Sequence, residues 1–215
     1  MGISNWPLEP LRFGYDYLKA HDVPLLIYQG RLNMLDRKPQ EEGILDFCAE
    51  KGVGFIAFSP LAQGLLTDRY LNGIPADSRM AKEKFLKKEM LTPQLLEKLK
   101  YYKELSDNRD ETLAEMALAW ILHQKGVTSV LVGASSTAQL EKNLKSVSAA
   151  PFDEELYRLI DLRGHRTADT FVIPEESLGR AETEEHIQTH GDMVLVVGDI
   201  ETDQFVTFAV LTLIE

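Results

Sequence analysis

The 215-residue chain is poor in cysteine and in basic residues. Its single cysteine, Cys48, excludes a disulfide within the chain. Lys and Arg number 23 against 34 Asp and Glu, which gives a formal net charge of −11. A nucleic-acid surface needs cations to neutralise phosphates, so this balance argues against such a partner. Any site that binds an anion must therefore be local.

Long apolar runs and targeting signals are also lacking. No segment approaches the ~20 consecutive apolar residues that a membrane-spanning helix needs. The first residues of the sequence do not show the basic and apolar regions of a signal peptide. These absences predict a cytoplasmic protein that has no membrane partner.

The composition that remains is that of a folded domain, with 44% hydrophobic and 27% charged residues. Cys48 falls with Ile44 and Phe47 on one apolar helical stripe. Free cysteine packs as a small hydrophobe, so this position predicts a buried structural thiol.

Short apolar runs alternate with longer amphipathic stretches, which is typical of strands and helices that build a parallel α/β sheet. The predicted strands cover residues 23–29, 53–60 and 127–135, and residues 1–4 have the character of the end of an earlier strand. Helix signals lie between them: Gly52 closes a helix over 43–50, Thr92-Pro93 begins another, and Thr112 with Glu115 forms a capping box. Residues 61–90 form a long loop, and loops of that length are usually functional or mobile.

The character of the sequence changes beyond about residue 163. Two β-prone runs, 193–197 and 205–214, are joined by residues 201–204 and predict an antiparallel hairpin. His186 and His190 are four residues apart, which would place both on one face of a helix and suggests a metal pair. No Glu occupies the metalloprotease position and no third ligand is evident, so a solvated acidic helix is favoured.

Polar or aromatic residues stand at the carboxyl end of each predicted strand, where the sites of parallel α/β sheets lie. They are Ser4 and Asn5, then Gln29, then Phe58 and Ser59, and finally Gly133 to Ser135.

Several ordered blocks of sequence resemble the aldo-keto reductase family. They are Gly2 to Trp6, Ile27 to Gln29 with Asn33, Ala57 to Thr67, and Leu131 to Ser135 with Gln139 and Asn143. The block Gly73 to Met80 resembles the branch that contains glyceraldehyde 3-phosphate reductases and potassium-channel β subunits. The match covers residues 1–162, leaving 163–215 as an unrecognised tail of two strands. The resemblance implies the C-terminal half of a (β/α)₈ barrel, which in complete form has ~250 residues.

The resemblance assigns the nicotinamide end of an NADP(H) site to four residues. Ser4, Asn5 and Gln29 would hydrogen-bond the carboxamide, which has both donors and acceptors. Phe58 would stack on the nicotinamide ring. The alternatives are a helix cap at Ser4 and Asn5, a loop contact for Gln29, and ordinary core packing for Phe58.

The phosphate and adenosine ends are assigned in the same way. The pyrophosphate would lie against the first loop and the following helix N-terminus, whose N–H groups attract anions, at Ser59, Pro60, Leu61, Gly64, Gly133 and Ser135. Arg69 and Arg79 match basic positions near the phosphates, and Gln139 and Asn143 match adenine contacts. Alternatively, the arginines are surface charges, and Ser136 with Gln139 has the spacing of a capping box. Lys142 stands where this branch often has an acid, which leaves NADP favoured over NAD without fixing it.

The resemblance also implies a catalytic Asp, Tyr, Lys and His in earlier strands, and none of those motifs occurs in this sequence. Tyr15, Tyr17, Tyr28 and Tyr70 lack the required context, so no catalytic residue is assigned. We expect NADPH-dependent reduction of a small aldehyde or ketone if an N-terminal half completes the barrel. The alternatives are a non-catalytic nucleotide-binding or interaction module and a truncated remnant. Open sheet edges further predict that the chain forms a homo-oligomer, pairs with a complementing chain, recruits the tail hairpin or is marginally stable.

Overall fold

The computed structural model of the chain describes residues 1–82, 86–164, 186–190, 193–198 and 206–211. The strands are β1 (Gly2–Ser4), β2 (Ile27–Arg31), β3 (Gly54–Phe58), β4 (Val127–Ala134), β5 (His186–His190), β6 (Met193–Gly198) and β7 (Val206–Leu211). The helices are α1 (Leu8–Ala20), α2 (Lys38–Glu41), α3 (Ile44–Lys51), α4 (Pro93–Asp107), α5 (Leu113–Leu122), α6 (Thr137–Leu144) and α7 (Glu154–Gly164). Short 3₁₀ helices occur at Ala62–Gly64, Asp68–Tyr70, Lys88–Met90 and Lys145–Ser148.

All seven strands form one sheet in the order β1-β2-β3-β4-β7-β6-β5. The first four strands pair in parallel, and β7 then pairs with β4 in the antiparallel direction. This is part of a (β/α)₈ barrel with a C-terminal β extension, as the sequence predicted. The predicted hairpin is present as β6 and β7, which are antiparallel neighbours. Its predicted link, residues 201–204, lies outside the described residues.

The N-terminal strand prediction, residues 1–4, is confirmed by β1, but the second strand is displaced from its predicted range. The apolar run 23–29 predicted a strand that ends at Gln29, whereas β2 begins at Ile27 and continues to Arg31. Pro24 has no N–H for a strand ladder, and its carbonyl accepts a hydrogen bond from the amino group of Met1 at 2.7 Å. Gln29 therefore lies inside the strand, two residues before its end.

Local sequence signals set the helix ends. The side chain of Thr112 accepts from the Glu115 N–H at 3.2 Å, and the Thr112 N–H donates to the Glu115 carboxylate at 2.7 Å. Thr92 caps α4 through the Leu95 N–H at 3.2 Å. Gly52, at φ 66°, ends α3 in the left-handed conformation that glycine adopts without strain. The capping predictions are confirmed.

The main core lies between the parallel sheet and its helices. Tyr28, Phe55 and Trp120 are among its largest buried side chains. Cys48 is fully buried, and burial raises the pKa of its thiol to about 11, so the prediction of a structural cysteine is confirmed. None of the helices among the described residues is long and apolar enough to cross a membrane.

The long loop after β3 is anchored to this core rather than free of it. Its almost completely buried large apolar side chains are Leu65, Leu66, Tyr70, Met80 and Leu86. Burial of several apolar side chains holds the loop against the body of the protein. The backbone that carries the polar residues of the loop is therefore held in place by their buried neighbours.

The predicted acidic helix around His186 and His190 is wrong. These residues bound β5, which pairs with β6 along its whole length in antiparallel register. The intervening Ile187 and Thr189 are β-branched, and such residues favour strands when a partner strand supplies the hydrogen bonds. Because this segment is a strand, the two histidines are not one helical turn apart, as the metal-pair hypothesis required.

Candidate functional site

The end of β1 is joined to the middle of β2 by register and by a backbone hydrogen bond. Ser4 lies opposite Gln29 in the parallel ladder. The N–H of the next residue, Asn5, donates to the Gln29 carbonyl at 3.0 Å. Asn5 has φ 57°, a left-handed conformation that asparagine tolerates better than most residues. The chain thus turns away from the sheet immediately after Ser4.

Strand register brings four of the predicted residues to one face of the sheet. Gln29 lies opposite Ile56, and Ile56 lies opposite Ser129. Residues two apart in a strand face the same side of the sheet. Phe58 is therefore on the same face as Ile56, and Gly133, four residues after Ser129, is on the same face as Ser129. Ser4, Gln29, Phe58 and Gly133 therefore lie on the face opposite the helices.

The alternatives for the nicotinamide-end residues find no support in these contacts. Helix α1 has Pro7 as its N-cap, without a side-chain cap bond, so Ser4 and Asn5 do not cap it. The side chain of Gln29 is half-buried and makes no hydrogen bond to another described residue. Phe58 is half-buried and lies outside the main apolar core. These groups are available to a ligand.

The turn after β3 has an unusual backbone. Ser59, Ala62 and Gln63 have φ of 52°, 46° and 58°, and Gly64 has φ 99°. Non-glycine residues in this region each cost of order 1–3 kcal/mol, and such outliers cluster at functional sites. The Asn33 side chain donates to the Ser59 carbonyl at 3.0 Å and fixes the start of the turn. Within it, Pro60 is buried and Leu61 is half-buried.

The two arginines of the loop differ in their contacts. Arg69 is exposed, and its Nη2 donates to the Asp77 carboxylate at 2.6 Å. Arg79 is exposed and forms no ion pair with any residue in the described ranges. Both guanidinium groups are accessible to an anion from solution.

Helix α6 begins beside the end of β4. Ser136 is its N-cap and accepts from the Gln139 N–H at 3.2 Å. The Gln139 Oε1 atom accepts from both the N–H and the hydroxyl of Ser135, each at 2.9 Å. The Ser136 cap is therefore present, but the Gln139 side chain bonds the preceding residue, Ser135, and does not complete a reciprocal capping box.

Asn143 lies one turn further along α6 and is buried, with 3% of its surface exposed. Its Nδ2 atom has no hydrogen-bond partner among the described residues and is closed off from solvent. This amide nitrogen is therefore not exposed at the surface of α6.

The tyrosine on the helix side of β2 is not an acid for the site. Tyr28 is 2% exposed and its hydroxyl donates to the Trp6 carbonyl at 2.6 Å. Burial raises the pKa of Tyr28 far above its ordinary value, because the phenolate would lose its hydration. Tyr28 is therefore a buried, hydrogen-bonded residue of the core.

Comparison with known proteins identifies the family. A family model described as the aldo/keto reductase family matches residues 1–162. The chain belongs to that family. L-glyceraldehyde 3-phosphate reductase of Escherichia coli O157:H7 is 44% identical over 165 residues, which are 75% of this chain and 48% of the relative. A probable voltage-gated potassium channel subunit beta of Arabidopsis thaliana is 33% identical over 154 residues, or 70% and 47% of the two chains. The relatives include both kinds of protein in the branch that the resemblance named, which confirms it.

The fold is shared with a solved aldo-keto reductase. The crystal structure of a thermostable member in complex with the inhibitor epalrestat has a TM-score of 0.52 and 24% identity. The alignment covers 76% of this chain and 47% of that one. The chain spans about half the length of the curated relatives it matches.

Two residues beside this candidate site have no role predicted from the sequence. Asn33 organises the loop after β2, since its Oδ1 accepts from the Leu35 and Asp36 N–H groups, both at 2.9 Å. Its only signal in the sequence is its place in a block that resembles the family. Asp77 pairs with Arg69, and the available signal was an acid and a base on either side of a glycine-containing turn.

Proposed function

We propose that residues 1–162 are the NADP(H)-binding portion of an aldo-keto reductase that reduces a small aldehyde or ketone. The observation that carries the proposal is that Ser4, Gln29 and Phe58 share one face of three adjacent strands, with Ser4 and Phe58 at carboxyl ends and Gln29 two residues before one. Ligand sites of parallel α/β sheets lie at this edge. A cytoplasmic location fits the proposed cofactor and remains part of this proposal.

The polar residues fit the nicotinamide end of such a cofactor. The free amide of Gln29 offers a donor and an acceptor beside the hydroxyl of Ser4, and a carboxamide needs both. The ring of Phe58, two residues further along the neighbouring strand face, provides a flat apolar surface for a flat ring. When bound, NADPH supplies the hydride that the reaction transfers.

The loop after β3 fits the phosphate end. Its left-handed turn at Ser59, Ala62 and Gln63 lies at the same sheet edge as the N-terminus of α6. Arg69 and Arg79 add two cations to a chain whose net charge is −11. A local pair of guanidinium groups favours a cofactor that carries an additional phosphate, which is why we propose NADP rather than NAD.

The residues assigned in this chain would bind the cofactor but would not carry out the reaction. No residue of this sequence is assigned as the proton donor, so we expect the 215-residue polypeptide to bind NADPH without reducing a carbonyl compound. Catalysis would then depend on residues contributed by a complementing N-terminal half. We therefore propose a carbonyl substrate only for the complex of this chain with such an N-terminal half.

Titration of the tryptophan fluorescence with NADPH tests the binding site. Trp6 is 44% exposed and adjoins Asn5, so a nicotinamide at the strand ends should quench it. Gln29→Ala or Phe58→Ala should weaken binding about two- to tenfold, the range for losing one hydrogen bond or ring contact. Gln94→Ala, at an exposed position on α4, is the matched control and should bind as the parent does. Equal affinity in all four proteins would contradict the site.

A second candidate function is a non-catalytic nucleotide-binding or interaction module. The observation that favours it is the pairing of β7 with β4 over Val130–Ala134, which fills the outer edge of β4. A barrel cannot close at an edge that another strand already occupies. An assay of aldehyde reduction, with the tail present and with an N-terminal half of a relative added, separates the two functions. Turnover on mixing favours the enzyme, whereas binding without turnover favours the module.

A further inference from the structure

The ion pair between Arg69 and Asp77 lies in the loop that adjoins the proposed phosphate site. Arg69 Nη2 and Asp77 Oδ2 are 2.6 Å apart. The two side chains are 45% and 81% exposed, so an anion in solution can reach the guanidinium while the carboxylate holds it.

The backbones that present the two charges are fixed. Arg69 precedes Tyr70, which is 1% exposed, and Asp77 precedes Ser78, which is fully buried. The Ser78 N–H donates to the Pro75 carbonyl at 3.0 Å, and its Oγ accepts from the Ala81 N–H at 3.1 Å. Forming the pair therefore orders only the two side chains, which lowers its entropic cost.

The backbone of Arg69 is also tied to the strained turn. The Thr67 hydroxyl donates to the Gly64 carbonyl at 2.7 Å and accepts from the Arg69 N–H at 3.2 Å. The Thr67 side chain therefore connects the end of the turn with the backbone from which the Arg69 side chain extends.

We propose that Asp77 is an internal competitor for the Arg69 guanidinium and lowers the affinity of the site for a phosphate-bearing nucleotide. Guanidinium forms its strongest hydrogen bonds with carboxylate and phosphate, through the same planar set of N–H groups. Arg79 has no ionic partner in the described ranges, so the competition affects one of the two arginines. This inference depends on the proposed NADP(H) site.

The experiment measures NADPH affinity of the full chain by calorimetry, for the parent and for Asp77→Asn. The substitution keeps size and shape but removes the charge that holds Arg69. We expect NADPH to bind about two- to fivefold more tightly, the factor that corresponds to a typical exposed ion pair. Asp68→Asn is the matched control, since Asp68 is an exposed acid of the same 3₁₀ helix and forms no ion pair with Arg69.

A double-mutant cycle with Arg69→Gln separates competition from a general change in charge. In the Arg69→Gln background, Asp77→Asn should change the affinity no more than Asp68→Asn does. Equal effects of the two acidic substitutions in the parent background, or weaker binding by Asp77→Asn, would overturn the inference. If the parent itself does not bind NADPH, the proposed function fails and the competition fails with it. Binding by the parent with no specific effect of Asp77 rejects the competition alone.

Discussion

The parallel strands β1 to β4 and the antiparallel strands β5 to β7 belong to one sheet but contribute differently to it. The parallel strands are separated by helical segments, and their carboxyl ends meet at one edge with Ser4, Gln29 and Phe58. The antiparallel strands follow one another closely and add backbone pairing beyond β4. The family match covers only the first region. A ligand site forms where the carboxyl ends of several strands converge, whereas an open sheet edge can be covered by any strand that pairs with it.

Trp120→Ala tests whether the core between the parallel strands and their helices supplies most of the stability of that region, and has the largest expected effect. Trp120 is 1% exposed in α5, and the Arg37 guanidinium carbon lies 4.7 Å from the centre of its ring. Truncation should lower the free energy of unfolding by about 3–5 kcal/mol, as measured by urea denaturation. Trp6→Ala, at a 44% exposed position, should cost much less. Equal losses for the two tryptophans would show that burial in this core is not what stabilises the parallel region.

Val210→Pro tests the role of the tail with an intermediate effect. Position 210 of β7 lies opposite Leu131 of β4, and proline cannot donate a hydrogen bond to the ladder. We expect the β4 edge to be exposed and the protein to self-associate in size-exclusion chromatography. NADPH affinity should be unchanged, because the proposed nicotinamide contacts lie on the other strands.

Val210→Thr keeps the N–H and the β-branched shape, so it is the control for the proline variant. A monomer of unchanged size after Val210→Pro would show that β7 does not protect the edge. A loss of NADPH binding would show that the two regions are coupled.

Within the parallel region, the Cys48 thiol should have a smaller effect, measured as a change in the free energy of unfolding with pH. Burial raises the pKa of its thiol from an ordinary 9.0 to about 11. The unfolded chain therefore loses this proton first, and the free energy of unfolding falls as pH rises between these two values. Between about pH 8 and pH 10 the contribution is about 1 kcal/mol. Cys48→Ala, compared by urea denaturation at both pH values, should lack this decrease; an identical decrease would contradict the assignment.

Local features of the fold were predictable because they depend on neighbouring residues. Thr112 with Glu115, Thr92 before Pro93, and Gly52 each satisfy helix-end groups within a few residues, and the structure has all three caps. The carboxyl-end positions of Ser4 and Phe58 also followed from strand boundaries. Such signals do not require knowledge of the rest of the fold.

Features that depend on distant partners were not predictable. Strand β2 extends to Arg31 because β3 pairs with it as far as Phe58. The strand at His186–His190 exists through pairing with β6, which overrides the helical spacing of its histidines. The pairing of Arg69 with Asp77 depends on how the loop folds back on itself. In each case tertiary contacts decide between local conformations of similar energy.

The central claim is that residues near the strand ends bind a nicotinamide nucleotide. The side-chain amide of Gln29 tests it most directly. Its Nε2 protons can be followed by NMR during a titration with NADPH, with the exposed Gln94 amide as an internal reference. The account predicts that the Gln29 signal moves and saturates together with the quenching of Trp6, while the Gln94 signal stays in place. A saturating change in fluorescence with a stationary Gln29 signal would contradict it.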